Sequence, residues 1–286
     1  MRAPLLLILC VALSTSAWAQ SELGTDRPDQ TESSSVVPPG FLQAEMGFER
    51  HVLHASADDI EFLRETDYAA PALLLRLGLV EAIELRIGME WMHSTLWSDP
   101  RHLSRDEAYY PPSERTVKGL LPLQVGTKVA LFPEEGFRPE SALIIMAELP
   151  GSASEVFDID RGIYEARLAC SHALGERFSL GWNLAATFGE GAGHTLGLYT
   201  LAFGMGVTET LGCYVELYGD FDPRQFPQHR FDGGVTFAPV PTLQLDASAG
   251  VALSDPWRPY ATEKNQEGDA WFVGMGASWR VALWGK

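Results

Sequence analysis

The chain has 286 residues, 46% of them apolar, and a formal net charge of -17. This acidic balance argues against nucleic acid as a partner, because such binding depends on lysine and arginine side chains that neutralise phosphates. The chain is also far longer than the small secreted scaffolds that depend on disulfides, so Cys170 and Cys213 are expected to be free thiols.

The chain begins with the features of a secretory signal peptide. An apolar stretch from Ala3 to Leu13 leads to Ala17-Trp18-Ala19, the small-x-small pattern that signal peptidase cleaves. The apolar stretch is shorter than the about 20 residues that a transmembrane helix needs. We therefore predict a cleaved signal peptide at residues 1–19, a periplasmic segment at residues 20–40 and a barrel domain at residues 41–286.

Alternating hydrophobicity runs along most of the remaining chain. From Ile83 to Trp91 the odd positions are apolar, whereas the even positions include Glu84, Arg86 and Glu90. The stretch Leu211–Phe221 shows the same split, and this period of two is typical of strands with one apolar and one polar face. The pattern predicts twelve strands, at residues 41–54, 67–79, 82–95, 116–132, 138–149, 161–174, 177–188, 195–207, 211–222, 228–238, 242–253 and 269–283.

Short and long connections alternate between these strands. The short ones lie around residues 80–81, 132–137, 174–176, 208–210 and 239–241, and the long ones at residues 55–66, 96–115, 150–160, 189–194, 223–227 and 254–269. Outer-membrane barrels have short periplasmic turns, long outer loops and an even strand number. The sequence therefore predicts an all-β fold, a transmembrane up-and-down antiparallel β-barrel of about twelve strands in the outer membrane of a Gram-negative bacterium.

Aromatic residues on the apolar face fall near the strand ends. Those expected at the outer ends are Trp91, Phe188, Tyr199, Phe221, Phe231 and Trp271, and those expected at the inner ends are Phe178, Phe237 and Trp279. Two such bands are typical of a barrel embedded in lipid, where aromatic rings lie at both membrane interfaces.

The polar face of the strands is rich in ionisable residues. The predicted lumen-lining residues are Glu45, Arg76, Glu84, Arg86, Glu90, Lys128, Glu148, Arg167, Glu216, Asp246 and Arg280. An acidic excess favours the passage of cations or neutral polar solutes, because carboxylates select by their field. The alternative, that arginine and glutamate on neighbouring strands pair and fill the interior, stays open.

A charged segment with stiffening prolines precedes the first strand. Its predicted plug residues are Asp26, Arg27, Asp29 and Glu32, which would fold into the lumen, with Arg27 binding wall carboxylates. Pro28 and Pro38-Pro39 restrict the backbone. A flexible leader is the alternative.

Several stretches resemble a known family. Thr25–Ser33 and Val37–Glu45 are similar to the opening of the bacterial outer-membrane family catalogued as MetA-pathway-of-phenol-degradation transporters, and Glu84–Gly88, Lys128–Gly136 and Ala147–Gly151 resemble its strand and turn pieces. The resemblance implies an outer-membrane transporter or channel for small molecules of hydrophobic or aromatic character. The expected partners are that permeant, outer-membrane lipids and lipopolysaccharide, and the barrel assembly machinery.

Two other function classes stay open. An outer-membrane phospholipase would need a Ser-His pair, and no mid-strand serine has an evident histidine neighbour, although His93 and His172 are not dismissed. The sequence therefore predicts no enzyme, no cofactor and no metal site, and the acidic Asp158-Ile159-Asp160 is interpreted as a solvated loop. A structural or adhesive barrel would use the loop from Leu96 to Arg115 as its contact surface.

Overall fold

A computed structural model describes residues 23–57, 60–99, 111–189, 195–222, 226–256 and 266–284. The predicted signal peptide, the first residues of the periplasmic segment and much of four predicted outer loops lie outside these ranges. Within them, no helix is long and apolar enough to cross a membrane.

The described chain consists of antiparallel strands that close on themselves. They are β1 (Phe41–Ala57), β2 (Ile60–Val80), β3 (Ile83–Ser98), β4 (Ser113–Leu120), β5 (Gln124–Phe132), β6 (Glu140–Glu148), β7 (Ile163–Leu174), β8 (Phe178–Gly189), β9 (Leu196–Gly206), β10 (Leu211–Phe221), β11 (Gln228–Val240), β12 (Leu243–Ala252) and β13 (Gln266–Ala282). Sequence neighbours pair around the sheet, and β13 pairs with β1 from Phe41↔Ala282 to Ala57↔Gln266. The barrel therefore has no free edge along this seam.

Two of these elements form a single strand of the wall. Both β4 and β5 pair with β3, β4 along its outer half and β5 along its inner half. The wall thus has the predicted twelve strands, but the prediction of one unbroken strand at residues 116–132 is wrong. The strand is interrupted at Leu121-Pro122-Leu123, where Pro122 has no N–H to donate to a ladder.

The outer connection between β6 and β7 covers this interruption. The Leu120 N–H donates to Ser154 Oγ at 2.9 Å, and the Ser154 N–H donates back to the Leu120 carbonyl at 2.9 Å. The Leu123 N–H donates to Ser152 Oγ at 2.8 Å. The loop therefore supplies hydrogen bonds that a neighbouring strand provides elsewhere.

The prediction of a first outer loop at residues 55–66 is also wrong, because β1 continues to Ala57 and β2 already begins at Ile60. The extension is stabilised by a buried apolar cluster of Ala55, Ala57, Phe62 and Leu63. Small and aromatic residues that shield one another can keep a hairpin ordered beyond the main body of a sheet. The wall is therefore taller at β1 and β2 than at β9 and β10.

The outer surface of the barrel is apolar and exposed. Side chains with at least a third of their surface exposed include those of Leu85, Ile87, Leu184, Val215, Leu217, Val235 and Met275. The predicted aromatic residues Trp91, Phe188, Phe221, Phe231, Phe178, Phe237 and Trp279 are exposed in the same way. An apolar belt of this size requires lipid around it, which confirms the predicted transmembrane barrel. Cys170 and Cys213, on β7 and β10, are both free thiols, as predicted.

We expect Phe62→Ala to loosen the outer end of the β1–β2 hairpin and to leave the rest of the barrel closed. Phe62 is fully buried, and removing a buried phenylalanine costs about 3–5 kcal/mol. Hydrogen exchange should therefore accelerate at residues 53–63. The lipid-facing Phe48→Ala is the matched control, and equal exchange in the two variants would contradict the assigned cluster.

Candidate functional site

The N-terminal segment, residues 23–40, lies inside the barrel and contacts widely separated strands of its wall. The Val37 N–H donates to Glu84 on β3 at 2.7 Å, and Ser34 Oγ donates to Glu140 on β6 at 2.8 Å. The Gln30 N–H donates to Glu216 on β10 at 2.7 Å. The segment therefore crosses the lumen instead of following one side of it.

Asp26 is the centre of the strongest cluster in the lumen. Its carboxylate lies 2.6 Å from Arg86 Nη1, 2.9 Å from Lys128 Nζ and 3.1 Å from Arg76 Nη1. Burial disfavours the charged carboxylate, but the neighbouring positive charges, first that of Arg76, hold the pKa of Asp26 well below its usual range. Asp26 is therefore an anion at physiological pH and joins three strands of the wall to the segment.

Two wall carboxylates complete this cluster. Arg76 Nε lies 2.8 Å from Glu84, and Arg76 Nη1 lies 2.9 Å from Glu45. Arg76, Glu45 and Glu84 are each at most 1% exposed. Buried charges of one sign are strongly unfavourable. The charged residues of the wall and Asp26 of the segment therefore stabilise the barrel only when all of them are present.

A second anchor holds the middle of the segment against β8, β9 and β10. Thr31 Oγ1 donates to Glu216 at 2.5 Å and bonds Thr200 at 2.7 Å. The Glu32 N–H donates to Asn183 Oδ1 at 2.7 Å, and Asn183 Nδ2 donates back to the Glu32 carbonyl at 3.0 Å. This reciprocal pair fixes the backbone as a neighbouring strand would.

Arg27 is held more loosely than Asp26. Its guanidinium lies 3.1 Å from Glu49 and 3.4 Å from Asp246, and its Nε has no partner among the described residues. The guanidinium rests on the glycines of the seam, and a Cβ at Gly47 or Gly276 would collide with it. Arg27 therefore occupies space that the wall leaves free, with fewer bonds to keep it there.

Two cavities lie in the lumen on either side of the segment. The outer one has a volume of about 550 Å³ and reaches Glu90 in the middle of β3 and Glu148 at the outer end of β6. The inner one has a volume of about 660 Å³ and is lined by the segment itself and by mostly small residues of β7 to β12. Arg27 and Glu32 line both cavities. These two side chains therefore form the partition between the outer and the inner space.

The side of the lumen at β10 and β11 has an excess of carboxyl groups. Asp29 faces Glu216 and Asp232, and Asp232 is fully buried with no hydrogen-bond partner for either oxygen among the described residues. Burial, and then the negative charge of Glu216, raise the pKa of Asp29 well above its usual range. The segment therefore carries one carboxyl group that favours the docked state when it is charged and one that favours it when it is neutral.

The predicted lumen-lining residues share the inward face of the strands, but they do not form one site. Arg76, Arg86, Glu45, Glu84 and Lys128 join the Asp26 cluster, Asp246 contacts Arg27, and Arg280 donates to Gln43 at 2.9 Å. Glu90, Glu148 and Arg167 line the outer cavity, and Glu216 binds the segment. The predicted plug residues Asp26, Arg27, Asp29 and Glu32 all lie within the barrel.

Sequence analysis missed the neutral side chains that bind the segment, namely Gln43, Asn183, Thr200 and Ser171. Their inward parity was a usable signal, because Gln43 is two residues before Glu45 and therefore lies on the same face of β1. Among the described residues, no group of His, Cys, Asp and Glu is arranged to hold a metal ion.

We expect Asp26→Asn to release the segment from the barrel. The substitution keeps the shape but leaves the Arg76, Arg86 and Lys128 cluster short of one negative charge, and such a loss in a buried network costs about 3–5 kcal/mol. Amide hydrogen exchange at residues 23–36 should rise strongly. Asp29→Asn is the matched control that should keep them protected, and protection in both variants would contradict the central role of Asp26.

Docking of the segment is also expected to weaken as the pH rises. Because the pKa of Asp29 is raised in the docked state, that state binds more protons than the released one, so its stabilisation is present at low pH and lost as the pH rises through the raised pKa. Amide protection, corrected for the intrinsic exchange rate, should fall as the pH rises from the usual pKa of aspartate, about 4, towards the raised one. Asp29→Asn should flatten this dependence, and an unchanged slope would show that another group causes it.

The fold of the chain is similar to that of solved outer-membrane barrels. An outer-membrane channel from Pseudomonas putida F1 has a TM-score of 0.62 and 11% sequence identity, over 87% of this chain and 98% of that chain. The toluene transporter of Ralstonia pickettii has a TM-score of 0.48 and 7% identity, over 85% of this chain and 90% of that chain. At such identities the similarity to these structures shows the fold alone. A comparison with curated protein sequences gives no match.

The family assignment comes from the sequence itself. A family model described as "Putative MetA-pathway of phenol degradation" matches residues 25–264, which include the segment inside the barrel and nearly all of the wall. Together with the apolar belt, the outer-membrane barrel fold confirms the predicted location. The chain is a member of this family of outer-membrane β-barrels.

Proposed function

We propose that the protein is an outer-membrane channel for small hydrophobic or aromatic molecules, closed by its own N-terminal segment. The observation that carries this proposal is the pair of cavities, about 550 Å³ and 660 Å³, that face each other across Arg27 and Glu32. Each is large enough for a small aromatic solute, since ligand pockets begin at about 300 Å³. A barrel filled by its own side chains would leave no such pair of spaces.

The outer cavity has an apolar side that supports a hydrophobic permeant. This side is formed where β4 and β5 are interrupted, and its lining residues there are Leu121, Pro122, Met146, Phe157, Ile159 and Ile163. Glu90, Glu165 and Arg167 line the same cavity beside these apolar residues, and Glu165 pairs directly with Met146 across β6 and β7. A ring with one polar substituent can bury its apolar part against the apolar residues and hydrogen-bond with the charged ones. The family description, which refers to phenol degradation, supports the same class of solute.

The partition supports a channel that opens by a local movement. Asp26 is held by three cations. Arg27 makes three longer contacts, to Glu49, Asp246 and the Met275 carbonyl, and its Nε has no partner among the described residues. Displacing Arg27 would open the part of this partition that lies over Gly47 and Gly276 at the seam of β1 and β13. The rest of the segment would stay anchored through Glu216 and Glu84. Glu49 and Asp246, the carboxylates that Arg27 would leave, would then favour the passage of cations over anions.

Catalysis is not part of this proposal. The matched structures are channels and transporters. The described histidines that sequence analysis kept open have other neighbours: His93 packs against Tyr68 with 6.0 Å between ring centroids, and His172 lies 3.7 Å from Glu134. A purely structural or adhesive barrel is the second candidate, and it differs by passing no solute.

We expect Arg27→Ala to raise single-channel conductance severalfold in planar bilayers, with cation preference at low salt, and to speed the flux of phenol-sized solutes into vesicles. Gly47→Val should act in the same direction without removing a charge, because its side chain would displace the Arg27 guanidinium. Arg138→Ala, in an exposed periplasmic turn, is the control that should leave conductance unchanged.

The outcomes separate the two candidates. If both Arg27→Ala and Gly47→Val are folded and pass no more solute than the unmodified protein, the segment is not a gate. If removal of residues 20–36 also leaves the barrel silent, the structural or adhesive alternative replaces the channel.

A further inference from the structure

A row of basic side chains crosses the outside of the barrel at its taller side. Arg50 on β1 pairs with Tyr68 on β2, Tyr68 pairs with His93 on β3, and His93 pairs with Lys118 on β4. Directly paired residues of neighbouring strands point to the same face. Arg50, Tyr68, His93 and Lys118 are all exposed. With strands about 4.8 Å apart, the row spans about 14 Å of the surface.

The row lies where the apolar belt ends. Two residues before Arg50 on the same face is Phe48, which is 44% exposed, and two residues before His93 is Trp91, which is 43% exposed. On β4, which runs the other way, Leu120 pairs with Trp91 at the same level. The change from apolar to basic therefore occurs at one height on three strands. This is the height at which a barrel leaves the hydrocarbon and meets the headgroups of the outer leaflet.

Arg50 is positioned by aromatic rings and not by carboxylates. Its guanidinium carbon lies 5.7 Å from the ring centroid of Tyr68 and 5.3 Å from that of Trp271. Such contacts orient the cation and leave its N–H groups free to bind an anion. In the described part of the chain, no carboxylate lies within ion-pair distance of Arg50, His93 or Lys118.

A neighbouring cation shows the contrast. Arg64, farther out on β2, lies 5.9 Å from the ring of Trp97 and is paired with Glu61 at 3.5 Å. Its charge is therefore balanced within the protein. The row of Arg50, His93 and Lys118, which we call the basic row, has no such partner among the described residues, although the chain as a whole carries a net charge of -17. This excess of local positive charge indicates an anion outside the protein.

We propose that the basic row is a docking site for the phosphate groups of lipopolysaccharide in the outer leaflet. Lipopolysaccharide is the lipid that faces the outer ends of the strands, and its inner part carries phosphates at headgroup depth. The row offers two permanent cations and one imidazole, all of which can donate hydrogen bonds to phosphate oxygens. An acidic protein would otherwise be repelled by this anionic surface. The inference is independent of the proposed channel, because the row faces away from the lumen.

The test measures lipopolysaccharide bound to the purified, folded mature protein in detergent. The probes are deep-rough lipopolysaccharide, which keeps the inner phosphates, and the same lipid after chemical removal of phosphate. Native mass spectrometry gives the bound fraction. The variants are Arg50→Gln with Lys118→Gln, and Arg64→Gln as the matched control, each checked for folding by its heat-modifiable migration on gels.

A lysine or arginine near an anionic membrane surface changes affinity about fivefold, so the double variant should bind phosphorylated lipid about 25-fold more weakly. Arg64→Gln should bind it like the unmodified protein. Loss of phosphate from the lipid should weaken binding to the unmodified protein by a similar factor, which tests the proposal even if the double variant fails to fold. Equal binding of both lipids, or an equal loss in the Arg64 variant, would overturn it.

Discussion

The lumen depends on the neutralisation of three wall cations by a carboxylate that the wall does not supply. Arg76, Arg86 and Lys128 lie on β2, β3 and β5 and are at most 2% exposed, and Asp26 of the segment contacts all three. Glu45 and Glu84 balance part of this charge. Without Asp26 the wall would hold an unbalanced buried charge, which is far more costly than the same charge in water. The segment is thus part of the folded barrel and not an appendage.

This constraint makes the lumen asymmetric. At β2, β3 and β5 Asp26 is held by short, charge-assisted bonds, whereas Arg27 lies over Gly47 and Gly276 at the seam of β1 and β13 and contacts Glu49 and Asp246 at 3.1 and 3.4 Å. Charge-assisted bonds strengthen as they shorten, so Arg27 is the weaker attachment. A local opening there leaves the balanced cluster intact, while expulsion of the whole segment would break it. The geometry therefore favours a small movement at one side over removal of the segment.

Much of the fold was predictable because alternation in a strand is fixed by the backbone. The parity of Glu84, Arg86 and Lys128 predicted their inward direction, and the same logic would have included Gln43. The interruption at Pro122 and the ordered extension up to Ala57 were missed because they depend on tertiary packing by a loop and by Phe62. Strand parity gives the direction of a side chain but not the residue with which it forms an ion pair. The ion pairs of Asp26 with cations 50 to 102 residues away in sequence could therefore not be predicted from it.

The charges of the protein are sorted by the medium that each surface meets. The lumen combines cations with a larger number of carboxyl groups, and the fully buried Asp232 lies where the segment brings Asp29. The outer surface is apolar until the level of Trp91 and then turns basic at Arg50 and Lys118. A strand can satisfy both demands because its two faces are chemically independent. The inward face can therefore be selected for docking of the segment and passage of a solute, while the outward face is selected for contact with lipid. A substitution on one face need not disturb the other.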